Sequence, residues 1–74
     1  MNNQDRNRLK AAIDLIQKSI LIVEEIRDSE QDKYDNLSEG LQSSSTGQKL
    51  EDSISELDNA ISQLEDAIQT IVSL

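Results

Sequence analysis

Seventy-four residues make at most one small domain, whose core supplies only ~3–5 kcal/mol, so chains of this size lean on disulfides, a metal or a second subunit. There is no Cys and no His, which removes disulfide staples, a thiol nucleophile, and the commonest metal ligand and general base; oligomerisation is what remains. The net charge of −8 sits almost wholly in residues 35–74, with eight acids against Lys49, while residues 1–34 hold seven acids against six bases.

That balance disfavours direct nucleic-acid binding, since phosphate affinity rests on Lys and Arg and the single aromatic, Tyr34, offers no stacking platform. The polar start Met1-Asn2-Asn3-Gln4-Asp5-Arg6 lacks the apolar core of a signal peptide. The longest strictly apolar run, Ile20-Leu21-Ile22-Val23, is far short of the ~20 residues a membrane span needs. A soluble, cytoplasmic protein without a membrane partner is expected.

The spacing predicts a first helix over about residues 4–33 with two seams. One is Leu9, Ile13, Ile16, Ile20 and Val23; the other, displaced round the cylinder, is Ala12, Leu15, Ser19, Ile22 and Ile26. A helix apolar over so wide an arc needs more than one neighbour, and a hairpin gives it one. The spare seam therefore predicts a subunit interface, most simply a dimeric four-helix bundle with this helix inside. Beyond Ile26 the stripe weakens into Arg27-Asp28-Ser29-Glu30-Gln31-Asp32-Lys33, which reads as a solvated end with charge pairs such as Asp28–Asp32–Lys33.

A loop follows over residues 34–45, long for a helix–helix connection. Asn36 followed by Glu39 fits a capping box, and Gly40 suits a left-handed position that closes a helical turn. The expectation is one capped turn with Tyr34, Leu37 and Leu41 folded onto the end of the bundle. The run Tyr34-Asp35-Asn36-Leu37-Ser38-Glu39-Gly40-Leu41-Gln42, with the Ser-rich stretch and Gly47 after it, resembles the central motif of small helical-hairpin proteins of phages and prophages. Those read aromatic-Asp-Asn-(Leu/Met)-Pro-Glu-(Gly/Asn)-Leu-Gln between Glu-rich helices; Ser38 stands here in place of the Pro, so a looser turn is expected. The resemblance covers about fifteen residues and implies a small accessory protein of a bacterial virus, a kind of protein that often counters host defences.

The second helix is expected over about residues 46–73. Leu50, Ile54, Leu57, Ile61, Leu64, Ile68 and Ile71 alternate steps of four and three, a 3.5-residue repeat typical of a coiled-coil seam. Ser45-Thr46-Gly47-Gln48 fits a capping box, after which Glu51 and Asp52 fall near the positive end of the helix dipole. Ala60 and Ala67, seven apart beside the seam, would let another helix come close.

Three chemistries compete on this scaffold. Glu24-Glu25-Ile26-Arg27-Asp28 resembles the first acidic motif of all-helical nucleotide pyrophosphatases, but Glu56-Leu57-Asp58 and Glu65-Asp66 lack the Glu-x-x-Asp spacing of the second, so an enzyme is not expected, nor a cofactor or metal. Ser43, Ser44, Ser45, Thr46 and Gly47 at a helix N-terminus could attract a phosphate, with Arg6, Arg8 and Lys10 brought up by a second subunit, as in a sponge for a nucleotide signal. Finally, Glu51, Asp58 and Glu65 form a rail of carboxylates beside the seam, extended by Asp52, Glu56 and Asp66, that could mimic nucleic acid toward a basic protein. The overall expectation is an all-α helical hairpin that self-associates and acts by protein–protein interaction. Its partner surface comprises Tyr34, Asp35, Asn36, Leu37, Glu39, Leu41, Glu51, Asp58 and Glu65, and its target is a host protein with a basic surface. A plain scaffold is the rival.

Overall fold

Asn2 starts the first helix: its side-chain oxygen accepts the Asp5 backbone N–H at 2.7 Å, filling one of the donors that a helix N-terminus leaves open. In the computed structural model, which describes residues 1–74, the helix α1 spans Asn3–Asp35, a one-turn helix α2 spans Glu39–Gln42, and α3 spans Ser45–Val72. The two long helices lie antiparallel as a hairpin, and the molecule is a rod of 58 × 15 × 12 Å. No helix is long and apolar enough to cross a membrane.

The α3 seam faces the first α1 seam, with Leu9, Ile13, Ile16, Ile20 and Val23 half-buried against Leu50, Ile54, Leu57, Leu64, Ile68 and Ile71. Ile61, at 7 % exposure, is the one buried apolar side chain. Two helices alone enclose a line and not a volume, so every other seam residue keeps one flank in water.

The α1 seam does not stop where the aliphatic residues stop. Continuing from Val23 by the same steps gives Arg27, Glu30 and Tyr34, all half-buried. Their stems pack along the seam while their polar heads reach its edge. This corrects the expectation of a merely solvated end. The expected pairing of Asp28, Asp32 and Lys33 is also replaced, by Arg27 with Asp28 at 3.0 Å and by Lys33 with Glu30 at 3.1 Å.

The expected loop is mostly helical. α1 runs two residues further than expected, with Asn36 as its C-cap, so Asn36 does not open a capping box. Ser38 occupies the N-cap of α2 without a side-chain cap bond, and Gly40 lies inside α2 with no positive φ anywhere in the chain. Leu37 is half-buried as expected, but Leu41 is 51 % exposed and does not fold onto the bundle end.

The α3 start also differs from the capping box expected at Ser45. The N-cap is Ser44, and its hydroxyl donates back to the Leu41 carbonyl rather than capping α3. Since α3 begins at Ser45, Glu51 and Asp52 lie beyond its first turn, outside the reach expected of the dipole. Gly47 matters for a different reason. It is buried, and a Cβ there would stand 1.9 Å from the Gln42 carbonyl oxygen. The absence of a side chain lets α3 press against the end of α2.

Candidate functional site

Each long helix turns one stripe to the same broad face of the hairpin. On α1 this is Leu15, Ser19, Ile22 and Ile26, four residues that recur on one side of the cylinder about a quarter-turn from the inner seam. Leu15 is 65 % exposed, Ile22 58 % and Ile26 48 %. Ser19 is exposed too, with its hydroxyl donating to the Leu15 carbonyl at 2.9 Å. Ala12 leans inward and is half-buried. On α3 the matching positions are Ser53, Ala60 and Ala67, the alanines half-buried. Ile26 and Glu30 share one inter-helix groove with Ser53 and Glu56, which puts both stripes on this side of the rod.

Glu56, expected to extend the acidic rail, therefore lies on the apolar side, whereas Glu65 shares the opposite groove with Gln17, Ile20 and Asp66. Two of the rail's three principal carboxylates are engaged by α1. The Tyr34 hydroxyl donates to Glu51 at 2.6 Å, and the Arg27 guanidinium donates to Asp58 at 3.1 Å while also bonding Asp28. The Asp58 bond is the main reason the guanidinium is held in its charged form more firmly than usual. The bond to Glu51, reinforced by desolvation and the nearby negative charge, pushes the Tyr34 phenol above its usual value. The Glu65 side chain makes no hydrogen bond or ion pair within the chain, nor do those of Asp52 and Asp66, and all three residues are exposed. Thr70 bonds only the Asp66 backbone carbonyl.

No family model, curated protein or solved structure matches the chain.

The loop residues of the expected partner surface are divided in the same way. Asp35 accepts from Gln31 at 2.9 Å, Gln42 donates its side-chain amide to the Tyr34 carbonyl at 3.1 Å, and Tyr34 and Leu37 are half-buried. Asn36, Glu39 and Leu41 are left exposed at the closed end. The closed end therefore presents one apolar side chain, Leu41, beside one free carboxylate, Glu39.

In the Ser-rich segment Ser43 donates to the Glu39 and Gly40 carbonyls and Ser44 to Leu41, while Ser45 and Thr46 are exposed. Arg6 and Lys10 line a cleft with Leu9, Ile13, Ile71 and Val72 at the open end, the far end of the rod from those serines. No three acidic side chains converge as a cation site.

Sequence reasoning missed Arg27 and Gly47. The Arg27 signal was available, because the seam steps lead from Val23 directly to it. Gly47 carried none, since its constraint comes from the Gln42 backbone.

Proposed function

We propose that the chain is a protein-interaction module with two opposed working faces: an apolar face that binds a second copy and an acidic face that binds a basic protein. The supporting observation is the segregation itself. One apolar side chain is buried, while Leu15, Ile22 and Ile26 stand exposed on one side and Asp52, Glu65 and Asp66 stand unpaired on the α3 flank away from the apolar stripes. Association through the apolar face turns the acidic faces outward, where a field of one sign speeds encounter with a positive partner. The resemblance of the loop motif to that of small accessory proteins of bacterial viruses supports a reading in which the basic partner is a host defence protein that the module inhibits.

A plain scaffold is the second reading, favoured by one specific observation. Glu51 and Asp58, two of the three rail carboxylates, already serve the hairpin through Tyr34 and Arg27.

Affinity purification from cells infected by the source virus separates the two. Wild-type chain retains one stoichiometric host protein, and the variant carrying Glu65→Lys and Asp66→Lys loses it with its helix content unchanged. Retention of the same host protein by both chains removes the acidic face from the contact. Recovery of capsid or tail proteins in its place supports the scaffold.

A further inference from the structure

The apolar face has a symmetry that defines how a second copy sits on it, a step that rests on the self-association half of the reading above. The hairpin exposes 5454 Å² for 8.3 kDa. A folded monomer of that mass exposes about 4600 Å². The excess, about 900 Å², is close to the ~800 Å² that each partner loses in an interface of standard size.

The α1 stripe is self-complementary about the point midway between Ile20 and Leu21. Reversed about that point, Leu15 meets Ile26 of a second copy, Ser19 meets Ile22, and Ala12 meets Ser29, so large residues face large at the flanks and small face small at the ends. On α3 the two half-buried alanines, Ala60 and Ala67, have their midpoint at Gln63 and Leu64, while Ser53 lies beyond the overlap of the two copies. Cross-hairpin bonds fix the relative level of the helices: Arg27 stands beside Asp58 and Tyr34 beside Glu51. By that register Ile20 and Leu21 stand level with Glu65 and Leu64, within about one residue, or ~1.5 Å, of the α3 midpoint. One two-fold axis therefore serves the α1 stripe and the alanine pair of α3.

Charge selects between the two ways of laying face on face. Lys18 and Glu25 border the α1 stripe on its outer edge, and both are exposed. With the axis perpendicular to the helices, α1 lies over α1 of the second copy in antiparallel sense, and each Lys18 comes within two residues, ~3 Å along the axis, of a Glu25 of the other copy. With the axis along the rod, α1 lies over α3 of the second copy, and Glu25 is brought toward Glu56. Lys33, which ends the stripe, is already neutralised by Glu30 at 3.1 Å.

We infer that the protein is an antiparallel dimer, a four-helix bundle in which α1 packs on α1 and α3 on α3 about a single axis through the level of Ile20 and Leu64, with reciprocal Lys18–Glu25 pairs at its edge.

The chain has no cysteine, so engineered ones report geometry without interference. The full chain carrying both Ala12→Cys and Ser29→Cys forms an intermolecular disulfide dimer on mild oxidation. Neither single variant does, because each residue lies about 25 Å from its own symmetry mate. Sedimentation of exposed-site variants gives a second readout that does not depend on repacking. Lys18→Glu and Glu25→Lys each raise the dimer dissociation constant about three- to tenfold, and their combination restores it.

A dimer that forms the disulfide through Ser29→Cys alone, or in which the two reversals merely add, overturns this geometry and leaves self-association standing. A chain that sediments as a folded monomer at micromolar concentration overturns both, while the acidic-face reading is decided separately by the Glu65 and Asp66 variant.

Discussion

The Tyr34 hydroxyl donates to Glu51 at 2.6 Å across the closed end of the hairpin, joining the last α1 seam position to the first full turns of α3. Seven residues back along α1 and seven on along α3, Arg27 makes the same kind of contact with Asp58. The two bonds are one coiled-coil repeat apart. They extend the hairpin beyond the point where aliphatic packing ends at Val23.

The first prediction concerns Tyr34 itself. It is the only tyrosine and there is no Trp, so phenolate absorbance follows this one group. The bond to Glu51 holds the proton on the phenol, and the titration midpoint of the folded chain lies above the ordinary value of 10.0. Glu51→Ala brings the midpoint back toward that value; an unchanged midpoint means the bond does not form in solution. Because the folded value is raised, the folded state binds more protons than the unfolded state at alkaline pH. The contact therefore stabilises fully below about pH 10 and is lost as pH rises through the higher folded value. The difference in melting temperature between wild type and Tyr34→Phe is constant through neutral pH and shrinks only above that range.

Arg27 separates packing from charge. Its side chain is 30 % exposed and lies on the seam, with its head bonded to Asp58 and Asp28. Arg27→Met keeps an unbranched apolar stem and removes the charge. Its melting temperature should fall below wild type at low salt and converge on it near 1 M salt, where the Debye length is only about 3 Å. Arg27→Ala loses the stem as well and stays less stable at every salt concentration. If both variants converge alike, the seam does not run through residue 27.

The heptad logic made the α3 seam and the first half of the α1 seam readable, because Leu, Ile and Val at alternating steps leave no other face to bury. It failed at Arg27, Glu30 and Tyr34 for a physical reason: a residue that buries its stem and hydrates its head looks polar when judged by residue type alone. The exposed stripe of Leu15, Ile22 and Ile26 was equally legible. The rail was legible as a row of acids, but its division was not. That Glu51 and Asp58 are bonded while Glu65 is free depends on which α1 side chains reach across. The turn was least legible. Ser44 offers its hydroxyl to Leu41 rather than to the α3 amides, and local side-chain bonds of that kind compete on nearly equal terms with capping.

Core and face residues of α1 and α3 should respond differently to truncation. Ile61, the one buried apolar side chain, loses most of its contacts in Ile61→Ala, at a cost of about 2–4 kcal/mol at fixed chain concentration. Leu21 is 61 % exposed on the side away from the stripe, and Leu21→Ala stays within about 0.5 kcal/mol of wild type. Ile22→Ala, its neighbour in sequence, weakens association, so its melting temperature lies below that of Leu21→Ala at the same chain concentration and gains less from added protein. Chemical denaturation at two chain concentrations reads all three. Equal behaviour of the Leu21 and Ile22 variants would show that the stripe is uncovered.

The two glycines make opposite predictions from the same substitution. Alanine is favoured over glycine by about 1 kcal/mol in a helix interior, so local preference alone says that both replacements stabilise. At Gly40 the added methyl meets nothing within 4 Å and no positive φ has to be kept. Gly40→Ala should raise stability by about 0.5–1 kcal/mol. At Gly47 the methyl would stand 1.9 Å from the Gln42 carbonyl oxygen and 2.5 Å from its carbon, both backbone atoms that cannot swing aside. α2 must then lift away from α3, which also strains the Gln42 bond to the Tyr34 carbonyl. Gly47→Ala should lower stability by about 1–3 kcal/mol despite its better helix propensity. Thermal melts of the two single variants test this directly. A stabilised Gly47→Ala would mean that α2 does not press on α3, and that the closed end is built less tightly than its hydrogen bonds indicate.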